Sequence, residues 1–127
     1  MTNADDAREL PRAEAPCVGL VEWLHIGDRE RVERLLADME SLGVNALRTG
    51  ISWADWHRPG GPDWYRWLVP RLAREVTILP CFLYTPPSEG IAPKTSSPPT
   101  QPQGLCRFPR CLCRRVRSLS GVDRALE

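Results

Sequence analysis

The stretch "GVNALRTGISWADW", Gly43–Trp56, decides the fold of this chain. Gly43 stands where the C-terminal cap of a helix belongs, because glycine takes the left-handed conformation without a steric cost. Val44–Trp53 then reads as an apolar strand. "ADWHRPGGPD" follows as a loop, rich in the two residues that punctuate secondary structure. A helix, a short connection and an apolar strand in succession are the grammar of an α/β chain.

Working backwards, "RERVERLLADMESLG" places Val32, Leu35, Leu36, Met39 and Leu42 at helical spacing, one stripe facing a core. Asp28 is a good N-cap for it. Before that, "CVGLVEWL", Cys17–Leu24, is an apolar run of strand length. Residues 1–16 are polar and acidic and read as a disordered leader, without the apolar segment of a signal peptide. Working forwards, Asp63 can cap a second helix through "WYRWLVPRLAREV", which Pro70 should kink or split. "TILPCFLYTPP" gives a third apolar strand with Pro80 awkwardly inside it. "SEGIAPKTSSPPTQPQ" is a long Pro/Ser loop.

The order strand, helix, strand, helix, strand, with apolar strands, predicts a parallel sheet covered by helices. A barrel and a doubly wound sheet both satisfy it. "EWLHIGD" after the first strand has one glycine, which weakens the nucleotide-binding version.

The chain has 127 residues and a net charge of +1. That total hides a split. Residues 1–100 carry 11 basic and 14 acidic side chains, whereas residues 101–127 carry six arginines and two acids. Five cysteines, Cys17, Cys81, Cys106, Cys111 and Cys113, stand in a chain with no secretory signature, so reduced thiols and a cytoplasmic location are expected. No apolar run is long enough to span a bilayer, so no membrane partner is expected.

In barrels of this kind function gathers at the C-terminal ends of strands. Those ends carry Glu22, Trp23 and His25, then Arg48, Ser52, Trp53 and Trp56, then Tyr84 and Thr85. Aromatic rings and an arginine there suit a sugar site, since an indole stacks on the apolar face of a pyranose. The candidate substrate-binding set is therefore Arg48, Trp53, Trp56, Tyr84 and Glu22. Glu22 has a structural alternative as an ion-pair partner of Arg48. Trp64 and Trp67 fall in a helix and read as packing. His25 and His57 read as ordinary loop residues, and Ser52 lacks the His and Asp pattern of a nucleophile. No cofactor is called for.

"LGVNALRTGISWADW", "WYRWLVPRLAREVTILPCFLYTPP" and "GIAPKTSSPP" together resemble the start of a (β/α)8 glycoside hydrolase of the clan with two catalytic glutamates, on the β-xylosidase and cellulase side. The resemblance covers roughly residues 17–100. It implies a partial barrel of about three strand-helix units and hydrolysis of β-linked sugars by the parent. It also implies Arg48 as the arginine that orients a nucleophilic carboxylate, with Trp53 and Tyr84 as subsite walls. In that clan the acid/base and nucleophile glutamates end the fourth and seventh strands. No residue here matches either one, so the chain itself is expected to be inactive.

Residues 101–127 show Arg, Cys, Pro, Leu and Ser in no helical period and read as an irregular basic tail. Read one base out of register with permitted synonymous codons, the segment from Gly104 spells an amphipathic helix, a loop and an apolar strand ending in Trp-Asn. The expectation is a frameshifted continuation of the barrel. Cys106, Cys111 and Cys113 form a poor zinc pattern without a fourth ligand. Six arginines with no reading helix and no interleaved aromatics could bind phosphate non-specifically; a nucleic-acid partner is not the expected one, but binding through this tail is an alternative function, beside a non-catalytic carbohydrate-binding or interaction module.

Overall fold

The computed structural model describes residues 18–120. The expected leader, residues 1–16, lies outside them. Within the described residues the chain is mixed α/β, with a three-stranded parallel sheet and four helices. Strand β1 is Gly19–Glu22, β2 is Ala46–Ser52 and β3 is Thr77–Leu83, in the sheet order β1-β2-β3. The helices are α1 (Arg29–Leu42), α2 (Trp53–Trp56), α3 (Gly61–Ala73) and α4 (Pro102–Ser120).

Helix α1 forms where its stripe and caps place it. The Asp28 carboxylate accepts from the Arg31 N–H at 3.2 Å. Gly43 closes the helix at φ 68°, a conformation that costs a side chain with Cβ. Val32, Leu35, Leu36 and Met39 are buried. Helix α3 starts earlier than expected, with Gly60 as its N-cap. Asp63 sits inside the first turn, where its carboxylate faces the positive end of the helix, and it bonds Arg66 at 2.9 Å. The helix runs from Gly61 to Ala73 through Pro70 without a break. Burial of Trp64, Tyr65, Leu68 and Leu72 outweighs the one backbone hydrogen bond that Pro70 removes.

Pro80 occupies a permissive position. The Thr77 N–H donates to the Asn45 carbonyl at 2.8 Å, so odd-numbered residues of β3 turn their backbone groups toward β2. Pro80, like Ile78 and Phe82, turns outward, and its missing donor lies on the free edge.

Register sorts the side chains onto two faces. The aligned rows Leu20–Leu47–Ile78 and Ile51–Phe82 meet the helices. The row Val21–Arg48–Leu79 points the other way and is exposed, Val21 and Leu79 each at 62%. One core therefore lies between the sheet and its helices, built from Leu47, Ile51, the α1 and α3 stripes, Phe108 and Leu112. The opposite face is bare. Over the helix-facing side of β2 and β3 an apolar groove of about 270 Å³ opens between α3 and α4, floored by Ile51, Ile78 and Phe82.

Two expectations are corrected here. The loop after β2 begins with a helical turn, α2, whose N-cap is the Ser52 hydroxyl, accepting from the Asp55 N–H at 3.0 Å. The segment expected to be irregular forms α4 from Pro102 to Ser120. Leu105, Phe108 and Leu112 do fall at i, i+3 and i+7, a helical stripe obscured by the Cys, Pro and Arg around it. Phe108 packs on Trp56 and Phe82 with ring centroids 5.5 and 5.8 Å away. Phe108→Ala should lower the unfolding free energy by about 3 kcal/mol in urea denaturation, as for a buried aromatic. Arg110→Ala, on the exposed side of the same helix, should shift it by no more than about 0.5 kcal/mol.

Candidate functional site

The bare face of the sheet carries one cluster at the C-terminal ends of the strands. Gly50 is the reason it can form. A Cβ at this position would lie 2.6 Å from the Trp23 indole, so the ring rests directly on the glycine backbone. Tyr84 meets Trp23 edge to face, with centroids 6.0 Å apart and planes at 71°. Tyr84 adopts φ 61°, the only non-glycine residue with positive φ among those described. Left-handed backbone at a tyrosine stores strain that its surroundings must hold. One restraint is the Ala54 N–H, which donates to the Tyr84 carbonyl at 2.9 Å and ties the end of β3 to α2. Trp23 and Tyr84 stay 38% and 43% exposed, large rings that present area to solvent. Arg48 lies on the same face, and its Nε–H donates to the Cys81 sulfur at 3.0 Å.

The other candidates lie elsewhere. Glu22 aligns with Thr49 on the helix-facing side and accepts from the Arg31 guanidinium at 2.9 Å. Its ion-pair partner is therefore Arg31, not the Arg48 given as its structural alternative, and it lies apart from Arg48 and Tyr84. Its face of β1 is set by the pleat, which turns Val21 out and Glu22 in. Trp53 is 4% exposed beneath α4, where Gly104 fits against its ring. Trp53, Trp56 and Phe108 floor a second cavity of about 260 Å³, rimmed by His57, Glu89, Gln101 and Arg107. Arg48 and Tyr84 thus share the bare face, whereas Trp53 and Trp56 line a cavity roofed by α4.

Ser52 and Thr85 are buried. The Ser52 hydroxyl is a helix cap, and the Thr85 N–H donates to the Thr95 carbonyl at 3.0 Å. Trp64 and Trp67 stack at 5.4 Å, and Arg29 lies 4.7 Å over the Trp67 ring. Both tryptophans are packing residues, as expected. Among the described residues no three His, Cys, Asp or Glu side chains are grouped to hold a metal ion. The partnership of Arg48 with Cys81 was out of reach of sequence reasoning, because it needs the β2–β3 register. The Trp23 contact had a faint signal in Gly50, a glycine inside a strand.

Tyr65 braces the site from the helix side. Its phenol oxygen accepts from the Ser52 N–H at 2.9 Å, and Trp56 stacks on its ring at 6.4 Å. Burial pushes its pKa up to about 12, opposed by that hydrogen bond and helped by nearby Asp55. No protein-family model matches the chain, and no curated protein or solved structure matches it.

The Tyr65 shift has a definite sign. The unfolded phenol ionises near pH 10 and the folded one near 12. The unfolded state thus releases its proton first, and stability present below pH 10 falls as pH rises to 12, by about 2–3 kcal/mol. Tyr65→Phe should flatten this part of the stability–pH curve in urea titrations. It should also cost about 1–2 kcal/mol at pH 7, because the Ser52 N–H loses its acceptor.

Proposed function

We propose that this chain is the N-terminal part of a (β/α)8 glycoside hydrolase, β-xylosidase- or cellulase-like, and that alone it binds β-linked sugar without cleaving it. The observation that carries this reading is the exposed Trp23–Tyr84 pair at the C-terminal end of a parallel sheet. Barrel enzymes hold their substrates at that end, and aromatic rings there stack on pyranose faces. Two further features support it. Helices pack on one face of the sheet only, as in a barrel wall, with the bare face in the place of the barrel interior. The apolar groove between α3 and α4 leaves Ile78, Pro80 and Phe82 of the edge strand incompletely covered, which is compatible with a further strand-helix unit in the parent.

Retaining hydrolysis needs two carboxyl groups about 5–5.5 Å apart. The described bare-face cluster of Trp23, Arg48, Cys81 and Tyr84 has none, and Glu22 points away from it. In the parent, Arg48 would orient a carboxylate supplied by a later strand. Residues 101–127 are read as the out-of-frame continuation of that parent. No described helix is long and apolar enough to cross a membrane.

The test is a titration of the 127-residue chain with xylohexaose and cellohexaose, read by tryptophan fluorescence. A saturable change is expected, and Trp23→Ala should abolish it while Trp67→Phe should not. Aryl β-xylosides and β-glucosides should show no enzymatic turnover. A sugar response that survives Trp23→Ala would overturn the site, and measured turnover would overturn the inactive-fragment reading.

A further inference from the structure

We infer that the Trp23–Tyr84 site of this chain selects acidic sugars, taking a uronic acid whose ring stacks on Trp23 and whose carboxylate is held by Arg48; this rests on the sugar-binding reading above. Arg48 is exposed on the bare face, and its Nε–H donates to the Cys81 sulfur at 3.0 Å. Cys81 aligns with Gly50, the residue on which the Trp23 indole rests. The Arg48 side chain therefore runs along the sheet toward the C-terminal ends of the strands, and its guanidinium reaches the row that holds the Trp23 ring. Adjacent strands lie about 4.8 Å apart, so cation and ring are neighbours. With Nε engaged, both Nη groups are without a partner among the described residues. Arg31, Arg58, Arg66 and Arg71 each meet an acidic side chain, and Arg48 meets none. Val21 and Leu79 flank it across the strands and offer no acceptor.

The ligand follows from this pairing. A neutral pyranose would offer the cation only hydroxyls. A uronic acid carries its negative charge on the ring that stacks, so one sugar unit uses both features. Two N–H groups on one guanidinium edge match the two oxygens of a carboxylate, and the Cys81 contact holds that edge in place. A sugar phosphate, with close to two charges, calls for a second cation, and the described cluster of Trp23, Arg48, Cys81 and Tyr84 has only one. In a complete barrel a protein carboxylate would meet Arg48; in this chain the ligand supplies it.

The experiment is a tryptophan-fluorescence titration of the full chain with a β-1,4-linked glucuronate trimer, its methyl ester and cellohexaose. Acid and ester differ only in the charge that Arg48 reads. The acid should bind about tenfold more tightly than the ester in low salt. That preference should shrink as salt rises from roughly 10 to 500 mM, because the pair is exposed and screened. Arg48→Gln should bring the ratio of the two dissociation constants to about 1, with unchanged far-ultraviolet circular dichroism. Arg34→Gln, an equal loss of charge on α1, should keep the wild-type ratio. Sugar binding with the acid no tighter than the ester overturns the inference and leaves the sugar site standing. A preference for the acid that persists in Arg48→Gln also overturns it. No response to any of the three ligands refutes the sugar site itself, and the inference with it.

Discussion

Strand β2 is paired on both edges, and its pleat sets the position of everything else. Leu47 and Ile51 project into the helix layer and gather the stripes of α1, α3 and α4 around them. Arg48 and Gly50 project the other way and define the bare face. Because the side-chain period of a strand is two, one residue of slippage would exchange these sets. Leu47 and Ile51 would become exposed and Arg48 would be driven into the core. The register is held by this opposition as much as by the ladder. The α1–α3 contact adds to it from outside, where Arg71 bonds Glu33 through two nitrogens, at 2.9 and 2.6 Å, and reaches Glu75 at 2.6 Å.

The elements that sequence made legible are those with a strong period and a clean cap. Helix α1 has both: its Asp28 cap, its Gly43 stop and four of the five stripe residues are found where they are expected, while Leu42, at the frayed last turn, is exposed rather than core-facing. The three strands appear inside the expected apolar runs, β1 and β2 trimmed at both ends and β3 only at its C-terminal end. The departures have a common cause: tertiary packing overrode a local signal. Pro70 is carried by the buried stripe of α3, and Pro80 by its place on a free edge. Helix α4 is the plainest instance. Its apolar positions are few, and two prolines and three cysteines dilute them, yet Phe108 and Leu112 suffice to dock it on Trp56 and Phe82.

The candidate site divides along the same line. Sequence can place a residue at the end of a strand, but the face it takes depends on register and on whether the backbone beyond the strand coils, turns or extends. Tyr84 reaches the bare face through a left-handed backbone that no composition rule would assign to tyrosine. Trp53 leaves it because a helical turn starts there and carries the ring beneath α4. Glu22 and Trp23 are adjacent in sequence and lie on opposite sides of the sheet. The useful unit for recognising a site in such a chain is therefore the row across strands, not the motif along one.

The two crossovers have a kinetic consequence. Gly19 aligns with Ala46, 27 residues on, and Ala46 with Thr77, 31 residues further. Neither ladder can be nucleated by a hairpin, so each must wait for a long loop to close before any sheet hydrogen bond offsets the entropy. On a ribosome making the chain from its N-terminus, α1 can form early, but β2 gains its second neighbour only after Leu83 has emerged. During that interval the Leu47 and Ile51 side of β2 has only α1 to pack on, because α3 and α4 complete the cluster later.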